Sequence, residues 1–257
     1  MGFALLLCAM WPADAAAQLK IGGRKLNTGK LLEAGKDVAK AVTLSDKDIA
    51  DLSREAVEWM DANNPIADET TEYGARLKRL TEGITEINGL PLNFKVYHVV
   101  DVNAFACGDG SIRVFSALMD LMDDDELMAI IGHEIGHVVH ADVKHAMKNA
   151  YLSSAARNAA GAAEGSTLAK LSVVTAFTGA QFSQKQEYAA DEYGFEFSVK
   201  NGFSPYGMGN SLNKLVELSK GAKSSTVQKM FSSHPDSEKR AARMKEKADA
   251  YTAAQQQ

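Results

Sequence analysis

His133, Glu134 and His137 have residue types and a spacing that could do chemistry together. The two histidines stand four residues apart in an apolar-rich stretch, Asp125 to His140, that contains no proline. On a helix, residues four apart project from the same side, so both imidazoles reach one metal ion. Glu134 lies about 100° round that helix from His133, placed to take a proton from an attacking water. Two imidazoles, a carboxylate and a metal are the parts needed for zinc-assisted hydrolysis of a peptide bond.

A five-residue pattern with three constrained positions also arises by chance, on a helix with ordinary solvated side chains. The setting argues against that reading. The histidines interrupt a stripe of Met128, Ile131, Ile135, Val138 and Val139 that reads as core. Imidazoles and a carboxylate in such a helix are costly unless hydrogen bonds or a metal satisfy them. Gly132 and Gly136 occupy the same helix, where each costs about 1 kcal/mol relative to alanine. Their presence predicts close approach of another element near the histidines.

A hydrolytic zinc usually takes three protein ligands and keeps an open position. Downstream of His137 the candidates are His140, Asp142, His145, Glu164, Glu187, Asp191, Glu192 and His234. His140 is too near in sequence to offer a third direction, and His145 falls two turns further along the same helix; both read as solvated helix histidines. Nothing at helical spacing accompanies Glu164. Glu187 and Asp191 are four apart and share a face with Phe195, on a helix that Tyr188, Ala189, Ala190 and Tyr193 mark as partly buried. One carboxylate can bind zinc while the other accepts the Nδ1 hydrogen of a ligand histidine. The pattern alone fits equally well a helix with exposed acids at Glu187, Asp191 and Glu192.

The elements that must position these groups follow from caps and periodicity. Ser45 and Asp48 form a capping box opening a helix to about Met60. Tyr73, Leu77, Leu80 and Ile84 predict a second helix from Thr70 to Glu86, before a turn at Asn88-Gly89. Phe94–Val100 reads as a strand, and Ala104–Ala106 with Ile112–Phe115 as a hairpin across Gly108-Asp109-Gly110. Ser116 caps a short helix, and Asp123-Asp124-Asp125 heads the helix with the histidines, favourable to its dipole. Further helices are expected over Gln184–Val199, Pro205–Leu218 and Ser237–Tyr251, with a short one near Leu31–Val42. Residues 149–180 are rich in Ala, Ser, Gly and Thr and read either as a mobile lid or as a packed helical hairpin.

With 28 basic and 33 acidic residues the net charge is −5, which offers no cationic surface to nucleic acid. Met1 to Trp11 is nearly all apolar, with small residues following to Ala17. Residues 1–17 therefore resemble the core and cleavage zone of an export signal, although the first basic residue is Lys20. That run is too short to span a bilayer. Loss of Cys8 with the signal would leave Cys107 alone, so no internal disulfide framework is expected. Residues 18–44 read as an arm and 45–257 as one catalytic domain.

Several ordered blocks, from Tyr73 to the last helix, resemble the M48 family of metallopeptidases, in particular its soluble or lipid-anchored periplasmic branch. Asn103-Ala104-Phe105-Ala106 resembles the family's edge-strand motif. His133–His137, trailed by His140 and His145, resembles its zinc-binding helix. Phe182–Asp191 resembles the block that supplies the third ligand, and Ser233-His234-Pro235 with Arg240 its late block. The resemblance implies a mainly helical, gluzincin-like α+β fold with a small antiparallel sheet over the active-site helix. It implies one Zn²⁺ held by His133, His137 and Glu187, with Asp191 orienting a ligand and Glu134 acting as base. His234 and Arg240 would donate to the oxygen of the tetrahedral intermediate. Substrate polypeptide would add in extended form to the edge strand, and unfolded or misassembled envelope proteins are the implied substrates, with an association with the outer membrane. The alternative reading is a latent member that binds unfolded chains without cleaving them. Nothing in the sequence specifies the oligomeric state.

Overall fold

The structure is a computed structural model that describes residues 20–21, 24–25, 45–147, 149, 182–221, 234–235 and 237–256. The export signal, the expected helix at 31–42 and nearly all of the small-residue segment 149–180 lie outside the described residues. In the arm, Lys20–Ile21 and Arg24–Lys25 pair antiparallel.

The described helices are α1 (Asp46–Asn63), α2 (Glu72–Leu80), α3 (Ser116–Leu121), α4 (Asp124–Val139), α5 (Gln184–Lys200), α6 (Gly207–Gly221) and α7 (Ser237–Gln255). The strands are β1 (Ile66–Ala67), β2 (Glu86–Ile87), β3 (Leu90–Pro91), β4 (Asn93–Tyr97), β5 (Ala104–Ala106) and β6 (Ser111–Phe115). Helix starts follow side-chain chemistry. Ser45 and Asp48 form the expected box at α1, and Asp123 forms one with Glu126 at α4. Ser116 does not cap α3. It is the first helical residue, and its hydroxyl instead binds both the N–H and the carbonyl of Val99.

Two helices end earlier than their apolar spacing implies. The second stops at Leu80, because the Thr81 hydroxyl donates to the Leu77 carbonyl and Gly83 sits at φ 80°. Ile84 still packs against the core, which explains why the periodicity runs on beyond the helix. The metal helix α4 stops at Val139, and Ala141 takes φ 60° before a new helical segment begins at residue 142. His145 is therefore not on the helix of His133 and His137, and it is exposed.

Strand order in the main sheet is β1-β4-β6-β5. The β5–β6 hairpin is as expected, pairing Ala104 with Val114 and Ala106 with Ile112. The sheet is mixed, however, because β4 and β6 run parallel, Asn93 beside Ser111 through Tyr97 beside Phe115. After β4 the chain crosses to the far edge, forms β5 there and returns into the gap as β6. Local alternation specifies a hairpin and says nothing about which of its strands lies inside.

The sheet packs on α4 through Val96, Ile112, Val114, Leu127, Met128 and Ile131, all at 1% exposure or less. On its other side α1 is pinned by an ion pair: Arg113 in β6, 1% exposed, donates from Nε and Nη2 to the two oxygens of Asp61 at 2.9 and 3.0 Å. Cys107 is fully buried among α1 and sheet side chains, and burial pushes its thiol well above the usual range. It packs as a core side chain.

Helices α4 and α5 cross where three glycines meet, as Gly132 and Gly136 predicted. A methyl group at Gly132 would lie 3.0 Å from the Gly194 Cα, and one at Gly136 3.1 Å from the Ala190 Cα. A methyl at Gly194 would lie 2.7 Å from the Ala129 carbonyl oxygen and 2.9 Å from the His133 nitrogen. Gly194→Ala should therefore force the helices apart, at a cost of about 1–3 kcal/mol, and loosen the metal centre with them. Thermal unfolding and a zinc titration measure both. An alanine variant with unchanged melting temperature and zinc affinity would show that the crossing does not need this contact.

Candidate active site

The α4–α5 crossing brings one turn of each helix face to face. From α4 come His133, Glu134 and His137, at 5%, 4% and 1% exposure; from α5 come Glu187 and Asp191, both at 0%. His234, just before α7, closes the group. His133 Nε2 lies 3.1 Å from His137 Nε2 and 3.4 Å from His234 Nδ1. His234 Nδ1 is 3.1 Å from each oxygen of Glu187, and His137 Nε2 is 3.4 Å from Glu187 Oε1. One ligand atom from each of His133, His137, Glu187 and His234 lies within 4.8 Å of all the others.

The outward sides of both helix histidines are already occupied. Asp191 Oδ1 stands 3.0 Å from His133 Nδ1, off the straight line of the ring N–H. Asp142 Oδ2 accepts from His137 Nδ1 at 2.9 Å. With Nδ1 turned outward, the two rings present Nε2 toward each other and toward the Glu187 carboxylate. Three electron-pair donors converging at such distances repel unless a cation lies between them, so the donor set fits a metal, and imidazole with carboxylate suits zinc. The field agrees with this. Burial disfavours charge on Glu187, yet His234, His137 and His133 hold its carboxyl far below the usual range. Burial would likewise pull His137 down, but Asp142, Glu187 and Glu134 reverse that and push it up to about 9.

Arg240 sits behind the carboxylates at 2% exposure. Its Nε and Nη2 donate to Asp191 at 2.8 and 2.6 Å, and its Nη1 contacts Glu187. All three guanidinium nitrogens thus face the two acids; the resemblance to the family implies a role for Arg240 toward the reacting oxygen. Glu134 is not among the converging ligand atoms; its Oε1 lies 3.9 Å from His234 Nε2. A small pocket, with room for about 20 Å³, opens beside Glu134 and His234, with Ile130, Met208, Leu212 and Leu215 as apolar walls.

Ala104–Ala106 form β5, the last strand of the sheet, packed on α4, with Asn103 just before it. The Asn103 carbonyl accepts from Phe115 N–H and the Cys107 N–H donates to the Ser111 carbonyl. Antiparallel alternation then turns the N–H and carbonyl groups of Ala104 and Ala106 away from β6. Among the described residues no strand pairs with that edge.

The remaining candidates fall elsewhere. His140 packs edge-on against Tyr193, and Glu192 pairs with Arg243 and Lys247; Glu164 lies outside the described residues. Two contributors carried no assigned role in the sequence. Asp142 was one unplaced acid among several, because a continuous helix would have carried it away from His137. Phe182 stacks on the His137 ring with centroids 3.9 Å apart; an aromatic five residues before Glu187 was the available signal.

A glutamate-and-histidine metal-binding cluster on two crossed helices, with a second glutamate beside it, defines a zinc metalloendopeptidase. The chain belongs to peptidase family M48, which residues 73–248 match. It is 38% identical over 250 residues to the metalloprotease LoiP of Escherichia coli (strain K12), covering 94% of this chain and 97% of that protein. It is 36% identical over 228 residues to the metalloprotease YcaL of the same organism, covering 86% and 88%. The beta-barrel assembly-enhancing protease of that strain matches 62% of this chain at 29% identity, over 35% of its own length.

Proposed function

We propose that the chain binds one zinc ion through His133, His137 and Glu187 and cleaves unfolded or misassembled polypeptides of the cell envelope. The observation that carries this is the convergence of the His133, His137 and Glu187 ligand atoms, with His137 Nδ1 hydrogen-bonded to Asp142 and Asp191 3.0 Å from His133 Nδ1. When bound, the zinc polarises the scissile carbonyl and makes water a better nucleophile.

The chain's own residues do the rest. Glu134 takes the proton of the attacking water and passes it to the leaving amine. His234 Nε2, on the Glu134 side of its ring, is placed to donate to the oxygen that gains charge. Arg240 is a positioning residue in this reading, holding Asp191 and Glu187 in register so that the ligands do not have to reorganise. Substrate lies extended along β5, taking main-chain bonds from Ala104 and Ala106. Such binding reads backbone and tolerates many sequences, which suits unfolded chains. The apolar stretch at Met1–Trp11 and the resemblance to the periplasmic branch support export to the envelope, with an association with the outer membrane.

Hydrolysis of casein by the purified chain, abolished by a chelator and restored by zinc, tests the reading; no hydrolysis with zinc bound would overturn it. His234→Ala should keep its zinc while losing about 10²–10³-fold in turnover, the scale of one lost transition-state donor. If His234→Ala instead releases the metal, His234 is a fourth ligand and the donor role is wrong.

A further inference from the structure

The segment that begins α5 surrounds His137 on more sides than metal binding requires. Phe182 stacks on one ring face, Glu187 faces Nε2 at 3.4 Å, and between them stands Gln186. Its side chain makes two sets of contacts. Oε1 accepts from the Ser183 N–H at 2.9 Å and from the Ser183 hydroxyl at 2.8 Å, completing the capping box of α5. Nε2 donates to Asp142 Oδ1 at 2.7 Å. The amide can sit only one way round, because Ser183 N–H needs an acceptor and the Asp142 carboxylate needs a donor. Asp142 then gives its other oxygen to His137 Nδ1 at 2.9 Å.

We propose that Gln186 is a positioning residue for the metal centre, coupling the cap of the Glu187 helix to the carboxylate that aims His137. The proposal rests on His137 and Glu187 being zinc ligands. Asp142 lies beyond the break at Ala141, on a different element from His137. Apart from the His137 ring that it aims, the hydrogen bond to its carboxylate comes from Gln186, on the other helix, and that bond sets which way the free oxygen points. Because Gln186 adjoins Glu187, that bond also ties the start of α5 to the segment after α4. A shift of α5 would move the third ligand and the orientation of the second together.

Gln186→Glu separates this role from helix capping. Glutamate serves the capping box as well as glutamine does, so α5 should keep its start. It cannot donate to Asp142, and two carboxylates at that distance repel. We expect zinc affinity, read by competition with a chromogenic chelator, to fall about 10–100-fold, the usual cost of losing an outer orienting bond. Helix content of the zinc-free chain should stay as in the wild type. Gln186→Glu combined with Asp142→Asn restores the bond with its direction reversed: the new amide donates to the new carboxylate and its oxygen accepts from His137. The double variant should bind zinc more tightly than Gln186→Glu alone, a coupling that a pure capping role cannot produce. Gln186→Glu within about threefold of wild-type affinity, or a double variant no tighter than the single, would overturn the proposal. A wild-type chain that binds no zinc would instead refute the ligand assignment on which it rests.

Discussion

Glu134→Gln should keep its zinc and lose nearly all hydrolysis, by about 10²–10⁴-fold, the range for removing a general base. The carboxylate lies outside the set of converging ligand atoms, so the amide removes no metal bond. Glutamine has almost the same volume, and the side chain's 4% exposure leaves the packing as it was. What changes is that an amide oxygen cannot hold the proton of the attacking water. Casein turnover and zinc content, measured on the same preparation, decide the matter. Wild-type turnover by Glu134→Gln would remove the residue from the mechanism, and loss of zinc would make it a ligand.

His137→Ala should release the metal and with it all activity, and the loss should extend to stability. The ring carries the Phe182 stack, donates to Asp142 and contacts Glu187, so its removal takes one partner from each of two buried carboxylates and leaves a cavity, a costly arrangement. Wild-type protein should melt at a lower temperature after chelation, because a ligand bound only to the folded state stabilises it. His137→Ala should melt low with or without the chelator. His133→Ala should also bind no zinc, whereas the exposed His145→Ala should keep about one per chain. Elemental analysis of the three variants checks this, and zinc retained by both His133→Ala and His137→Ala would refute the centre.

The parts of this site that are legible in sequence are those a single helix brings together. His133, Glu134 and His137 need only 3.6-residue periodicity to converge, and the Asp123 cap, the apolar stripe and the two glycines all mark that helix. Gly132 and Gly136 also predicted the crossing that Gly194 completes. Glu187 with Asp191 was readable as a shared face, but spacing alone left it equal to a surface pair. The resemblance to the family chose between the two, and their complete burial against α4 is a property of the assembled fold.

Sequence by itself therefore determined the chemistry of the metal helix, the capped starts of α1 and α4, and the β5–β6 hairpin. Each of these depends on residues within a few turns of one another. Tertiary structure decided which strand lies inside the sheet, where α2 and α4 stop, and what surrounds the metal-facing atoms. Those depend on contacts between residues far apart in the chain. Ala141 turns the backbone so that Asp142, not His145, returns to the site. Arg240, 49 positions from Asp191, closes on the carboxylates only because α7 lies against α5. Helical periodicity extends no further than its own helix, and the orientation of a buried charge is set by whatever packs behind it.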